Sequence, residues 1–305
     1  MQEETVTPEE PALPASLRES AWQAPEMPPV ERGVEWMASI PFFAIHLAAV
    51  VGVVLVGFSW KGVALALACY YVRMFGVSGG YHRYLAHRSY RTSRVFQFML
   101  AWLGASSAQK GPLWWAAHHR AHHKHSDTEL DIHSAVQKGF FWSHVGWILD
   151  RRYKHTDFAR IRDMAAFPEI RWLNSWHLVP PAVLGIGLAV VGGWPAFVWG
   201  FLVSTVLLWH GTFCVNSLSH LIGGRRYQTT DASRNNLAIA LFTMGEGWHN
   251  NHHHYQRSER QGFFWWEIDG SHYVLKVLSW FGIVWDLHEP PPHVRDAAAG
   301  APGGE

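Results

Sequence analysis

The sequence predicts an all-α integral membrane protein, with four transmembrane helices in two hairpins and a cytoplasmic helical cap. Three observations predict it. Four long, nearly uncharged apolar runs occur in two pairs, each pair joined by a short turn. The segment from Arg83 to Arg171, between the pairs, carries 14 Lys and Arg, whereas the two turns contribute only Lys61. Histidine-rich motifs fall at or beyond the ends of the runs.

Residues 1–33 are rich in Pro, Glu and Ala and lack apolar periodicity, which predicts a disordered tail. No basic stretch followed by an apolar one occurs there, so no cleaved signal peptide is expected. The first pair of spans is expected at 41–58 and 63–80, around Ser59-Trp60-Lys61-Gly62. The second is expected at 177–194 and 197–216, around Gly192-Gly193-Trp194-Pro195. Each pair reads as a hairpin of helices, because backbone facing lipid must satisfy its own hydrogen bonds. Buried helices of a soluble protein are the alternative, but the remaining polar chain is too short to cover four such runs.

A fifth run, 94–109, is short for a span and is read as a helix lying at the interface. Were it to cross, the motifs at His82 and His119 would face opposite sides of the bilayer. The positive-inside rule places residues 81–175, both tails and the chain after 216 in the cytoplasm, which suits a multi-pass membrane protein. Residues 290–305 are expected to be a second unstructured tail.

Composition narrows the function. Charged residues make up 16% of the 305, below the ~25% usual for soluble domains. The net charge of +1, with no basic run interleaved with aromatics, gives no case for a nucleic-acid partner. Cys69 and Cys214 each lie in an apolar run, so neither a disulfide framework nor a thiolate metal site is expected.

Histidine carries the chemistry: 21 occur, nearly as many as the 24 acidic residues. The first motif is His82-Arg83-Tyr84-Leu85-Ala86-His87. The second is His119-Arg120-Ala121-His122-His123, and the third His249-Asn250-Asn251-His252-His253. Positions i, i+3 and i+4 share one helix face, so each of the latter two presents three imidazoles in one direction. On a regular helix His82 and His87 would stand about 140° apart and converge only if the helix ends or bends between them. His220, just past the fourth run, emerges on the same side as His82. Nine imidazoles exceed the four ligands of a single zinc and suit two metals with four or five nitrogens each. Imidazole serves Zn, Cu, Fe and Ni alike, so ligand type does not name the metal. For His118, His125, His133, His144 and His254, packing or support of the ligands is the expected role.

These motifs, in this order around two membrane hairpins, resemble the membrane fatty-acid desaturases, most closely the stearoyl-CoA (Δ9) group and its bacterial members. The resemblance covers roughly residues 40–288, within an expected domain of 34–289. It also rests on Gly79-Gly80-Tyr81-His82-Arg83, on Gly139-Phe140-Phe141-Trp142-Ser143-His144-Val145-Gly146-Trp147 and on Gly245-Glu246-Gly247-Trp248-His249-Asn250. It implies a di-iron centre of two Fe2+ ions held by His82, His87, His119, His122, His123, His220, His249, His252 and His253, with Asn216 reaching one metal through water. It further implies an apolar tunnel bent at Gln109, Trp115 and Thr212, and a cis double bond made at Δ9.

Removing hydrogen from two unactivated methylenes is beyond any side-chain acid or base, so O2 and an external electron donor are implied. The chain lacks a fused haem-carrier element, a flavin or dinucleotide fingerprint, and cysteines for an iron–sulfur cluster, so a separate ferredoxin or haem protein with its reductase is expected. Arg120, Lys124 and Arg226 are candidate docking residues. Arg151 and Arg152, with Lys154, are expected to meet the phosphates of an acyl-CoA. Ala117-His118 stands where animal acyl-CoA enzymes have Arg-Asp, which leaves acyl-carrier-protein and acyl-lipid substrates open. A di-iron hydroxylase or monooxygenase on the same scaffold is the alternative enzyme, and a membrane metal transporter the alternative outside enzymes.

Overall fold

A computed structural model describes residues 30–297. The parts of the two expected tails at 1–29 and 298–305 lie outside the described residues. The described residues are mostly helical, with one two-stranded ribbon among them.

Among the described residues three helices are long and apolar enough to cross a membrane: Trp36–Val56, Trp60–Ala86 and Val179–His220. Helix α1, Trp36–Val56, carries no charge and turns Val54 (76% exposed) and Leu55 (71% exposed) outward. An apolar face turned outward has to be covered by something other than water. Helix α2, Trp60–Phe75, starts at Ser59, whose hydroxyl accepts from the Gly62 N–H, and widens into a π-helix over Gly76–Ala86.

The third candidate is 42 residues long, about twice the ~30 Å hydrocarbon core at ~1.5 Å per residue. It is not straight. Gly193 leaves the helical region at φ 65, a value glycine adopts without strain, and Pro195 follows. A Cβ built on Gly185 would meet the Phe197 ring at 3.2 Å, and one on Gly200 would meet Leu188 at 3.1 Å. The chain therefore doubles back at Gly193. We call Val179–Ala196 α5 and Ser204–Ser217 α6, with a π-helical stretch Phe197–Val203 leading into α6.

Between the two long pairs, α3 (Arg94–Ala105) and α4 (Pro112–His125) build the floor of the cap. The Ser93 hydroxyl caps α3 by accepting from the Phe96 N–H. α3 stops at Ala105, short of the expected 109, because Ala108 and Lys110 take φ of 57 and 68. α3 lies against α2 where two glycines meet: a Cβ on Gly76 would stand 2.7 Å from the Gly104 nitrogen. α4 begins with Pro112, and its free N–H groups at Leu113 and Trp114 donate to the Asn174 Oδ1 at 3.1 and 2.9 Å.

After α6 come two short helices that matter: α7 (His249–His254) and α8 (Gly270–Trp280). The ribbon pairs β1 (Arg91–Thr92) with β2 (Val284–Trp285), so the end of the chain is tied beside the start of α3. A single apolar core of Tyr84, Leu85, Leu100, Leu113, Met164, Ile170 and Leu275 joins α2, α3, α4 and α8. Residues 290–297, expected to be unstructured, instead form a helical turn at Pro292–Arg295. The Tyr227 hydroxyl donates to the Arg295 carbonyl at 2.6 Å, and His254 Nε2 reaches the Val294 carbonyl at 3.1 Å.

Candidate metal centre

The first motif meets in an unexpected way. The sequence asked for an end or a bend between His82 and His87; the structure ends the helix at Ala86, with His87 as its cap, and also widens it up to that point. In a π-helix the bond closes from i to i+5, and the His87 N–H donates to the His82 carbonyl at 3.1 Å. Residues five apart therefore stack, and the two rings sit 4.8 Å apart. α4 presents His119, His122 and His123 on one face, and the Trp115 ring lies flat on His119 at 5.0 Å.

α7 is too short to stand alone. Its position is set by asparagines: the Asn250 Oδ1 accepts from the Arg226 and Tyr227 N–H groups at 2.8 and 2.7 Å. The Asn235 Oδ1 accepts from the Asn250 and Asn251 N–H groups at 3.0 and 3.2 Å. His220 follows α6 on a single 3-10 turn, Leu218–His220.

All nine expected histidines come together, in two groups. His82, His87, His119, His123 and His252 have ligand nitrogens within 4.8 Å of one another, as do His122, His220, His249 and His253. A third set within the same reach is His122, Asp131 and His133. In the first group the Nε2 atoms face one another at 2.8–3.1 Å around a ring: His82–His252, His252–His123, His123–His119, His119–His87 and His87–His82. In the second, the His220 and His249 Nε2 atoms stand 3.1 Å apart, while those of His122 and His253 are buried without a partner.

The opposite side of four rings explains why the lone pairs point inward. His82 Nδ1 lies 2.5 Å from Glu246, His122 Nδ1 3.1 Å from Asp131, His220 Nδ1 2.8 Å from Asp127 and His253 Nδ1 2.6 Å from Asp231. A carboxylate on Nδ1–H fixes the tautomer and leaves Nε2 bare, which is how a metal-ligating imidazole is usually held. Burial alone would raise these carboxyls, but the facing imidazoles and their hydrogen bonds outweigh it. Asp127 is held at about 2 by His220 with Ser134 and Ala232, and Glu246 at about 2 by His82, Arg83 and Ser78. Asp131 and Asp231 lie further down, through His122 and His253. Burial, then the neighbouring rings, pushes His87, His119, His123, His249 and His252 far below the ordinary histidine value, and His253 to about 4. Neutral imidazoles with bare, converging nitrogens are what a divalent cation needs.

Arg83 ties this arrangement to the rest of the cap. It bonds Asp269 at 2.9 Å, Glu246 at 3.3 Å and the Glu259 carbonyl at 2.6 Å, all buried. None of the four orienting carboxylates was singled out from the sequence. Only Glu246 stood inside a quoted motif; the other three arrive on loops.

A cavity of about 390 Å³ runs from Glu35, Lys110, Lys154 and His177 down to His119. A smaller one continues past His82, His122 and His249 to Met74 and Val77. Trp115, Thr212 and Asn216 line both, so two of the three expected bend residues, Trp115 and Thr212, stand where the cavities meet, and Gln109 lines the larger one alone. Gln109 Nε2 donates to the Thr212 hydroxyl at 2.9 Å. Of the expected head-group residues Lys154 stands at the mouth, while Arg151 and Arg152 do not line the cavity. Arg152 pairs with Asp150 at 3.0 Å, and Arg151 reaches the Val34 carbonyl at 3.4 Å on the surface. Of the candidate docking residues, Arg120 is committed to Asp163 at 2.9 Å and to the Leu85 and Ala86 carbonyls. Arg226 is committed to Glu267 at 2.7 Å, and Lys124 is exposed.

The sequence pattern of the fatty acid desaturase family matches residues 58–269. The chain belongs to that family. The desaturase is 36% identical over 252 residues to the sn-1 stearoyl-lipid 9-desaturase of Anabaena variabilis, covering 82% of this chain and 92% of that one. It is 36% identical over 274 residues to the sn-2 palmitoyl-lipid 9-desaturase of Nostoc sp. (strain 36), covering 86% and 94%. It is 38% identical over 240 residues to an acyl-CoA 5-desaturase of Anemone leveillei, covering 76% and 74%. The desaturase is therefore an enzyme of fatty-acyl oxidation, in a metal-dependent family, acting on fatty acyl chains.

Proposed function

We propose that the protein is an O2-dependent Δ9 fatty-acyl desaturase that makes a cis double bond at a di-iron centre, drawing electrons from an external ferredoxin or haem protein. The observation that carries it is the pair of imidazole groups, five and four, set at the inner end of an apolar cavity that turns at Trp115 and Thr212. His82, His87, His119, His123 and His252 would hold one iron. His122, His220, His249 and His253 would hold the other, with Asn216 beside them through water. Bound there, the two irons supply the O2 chemistry that abstracts hydrogen.

The protein's own work is placement. Trp115, stacked on His119, and Thr212, held by Gln109, bring one methylene pair to the centre and leave the rest of the chain away from it. Phe42, Trp209 and Phe213 wall the cavity and keep water out. Asp127, Asp131, Asp231 and Glu246 keep four ligands in the neutral tautomer that binds metal.

Arg152 is neutralised by Asp150, which leaves Lys110 and Lys154 at the mouth with Glu35 as their counter-charge. The acyl-lipid 9-desaturases of Anabaena variabilis and Nostoc, matched over nearly their whole length, favour an acyl chain carried on a membrane lipid over acyl-CoA. The break at Gly193 supports four crossings in two hairpins, and the basic segment between them supports a cytoplasmic centre in a bacterial inner membrane.

The test is expression in membranes with a ferredoxin reductase system, followed by mass spectrometry of acyl chains sorted by carrier. A Δ9 monounsaturated chain appearing first in glycerolipid is the expected result. A hydroxylated chain would sink the desaturation reading, and first appearance in acyl-CoA would sink the carrier.

A further inference from the structure

The outer nitrogens of the nine converging histidines meet different surroundings. Those of His82, His122, His220 and His253 are held by carboxylates. Those of His123, His249 and His252 are buried without a partner. His119 lines both cavities. His87 differs from all of these. Its Nε2 faces those of His82 and His119 at 3.1 and 2.8 Å. Its ring is only partly covered and lines neither cavity, and its Nδ1 is neither bonded nor sealed off. The His123 ring, 4.7 Å away, is also partly exposed. One edge of the first metal group therefore reaches the surface of the cap.

That surface is positive. Arg88 follows His87, and its guanidinium lies 5.4 Å from the Tyr84 ring and meets only the Met164 Sδ, at 2.6 Å. Arg162 opens the short helix Arg162–Ala165 that carries Met164. Lys124 follows His123. The charge of Arg257 acts on His288, whose backbone N–H donates to the Ser89 carbonyl at 3.0 Å, one residue beyond Arg88. Lys124, Arg162 and Arg257 are exposed, and Arg88 is half-buried. Among the described residues none of the four has a carboxylate partner. The acids nearby are taken: Asp163 by Arg120, Asp157 by Arg160 and Glu259 by His272.

Unpaired cations grouped in this way attract an acidic partner and speed its approach. A bilayer would need apolar side chains beside them, as on α1 and α3, where Val54 and Val95 are 76% and 72% exposed. Segments 86–91, 119–125, 158–163 and 252–260 expose no large apolar side chain. They suit a water-soluble protein instead.

We propose that Arg88, Lys124, Arg162 and Arg257 dock an acidic one-electron carrier protein over His87, and that electrons enter the first metal group through that exposed ring edge. Of the residues expected to dock a carrier, Lys124 stays, while Arg120 and Arg226 are already committed. The inference rests on the desaturase reading above only for what the electrons do. Each turnover takes two electrons, from two carriers that are each oxidised once, and two protons. With the two hydrogens leaving the acyl chain, these reduce O2 to two waters.

The holoenzyme in nanodiscs of neutral lipid is immobilised, and binding of two probes is measured from 50 to 300 mM salt: a plant-type [2Fe–2S] ferredoxin and a small acidic b-type haem protein. At least one should bind, with a Kd that rises with salt. Lys124→Glu combined with Arg257→Glu should raise that Kd at least about tenfold, with bound metal at the wild-type level. Lys61→Glu, in the turn between α1 and α2, should leave it unmoved. Failure of both probes to bind, a Kd indifferent to salt, or a double variant that binds as the wild type does would each overturn the docking surface. So would vesicles of anionic lipid that bind the patch in place of either protein. If a carrier binds through these residues and no unsaturated chain forms, the surface stands and the desaturase reading falls.

Discussion

Replacing Asp231 by Asn tests how the ligands are held. Asp231 is buried, and its Oδ2 stands 2.6 Å from His253 Nδ1. Its Oδ1 accepts from the Ser233 N–H and the Thr229 hydroxyl, both at 3.0 Å, so the side chain is fixed from two sides. An Asn of the same shape can keep those contacts through its carbonyl, which turns its NH2 toward His253. The ring must then accept on Nδ1 and carry its hydrogen on Nε2, the nitrogen aimed at the metal. Loss of such support typically costs 10- to 100-fold in metal affinity, or about 1.4 to 2.7 kcal/mol. The variant, purified in nanodiscs, is titrated with an iron chelator and its metal content read by mass spectrometry. One iron of two should leave at a chelator concentration 10- to 100-fold lower than in the wild type. Asp163→Asn, which disturbs only the Arg120 pair outside the centre, should leave the titration unmoved. Equal midpoints for D231N and the wild type would refute the orienting role.

Three further outcomes follow from the same geometry. The metal-free protein should lose thermal stability as pH falls from about 6.5 toward 4. His253 sits at about 4 when folded and near 6.5 when unfolded, so in that window the unfolded state binds the extra proton; a melting temperature flat across it would contradict the neutral, buried state. Arg151→Ala with Arg152→Ala should change the acyl KM less than about twofold, since neither side chain lines the cavity and exposed charges contribute little; a tenfold rise would restore them as head-group residues. Thr212→Trp should block the passage between the two cavities and shorten the chains accepted, read by the product profile of a mixed acyl pool, and an unchanged profile would remove Thr212 from the bend.

Much of this fold was legible because lipid simplifies the code. A bilayer asks for helices of fixed length, so the runs at 41–58, 63–80, 177–194 and 197–216 stand out without knowledge of packing. The i, i+3, i+4 spacing of the second and third motifs placed six imidazoles directly, and the position of His220 past the fourth run added another. The four orienting carboxylates stayed hidden for a physical reason. Asp127, Asp131 and Asp231 sit on irregular loops, where no periodicity says which atom a side chain will meet. The pairing of Arg152 with Asp150 was not legible, because a basic run looks the same whether a charge is free or already taken by a carboxylate next door. The ordered turn at Pro292–Arg295 was missed because its anchors, Tyr227 and His254, lie some 40 to 70 residues away in sequence.

The widened helix at Gly76–Ala86 makes the three histidine motifs one device written in two windings. A π-turn is an α-turn that has taken in one more residue, so His-x4-His there does the job His-x3-His does on α4 and α7. Spacing in such a motif records the pitch of the helix beneath it. A search for similar centres that fixes the spacing at three or four would pass over the first motif, although its two rings meet at 4.8 Å and their Nε2 atoms at 3.1 Å.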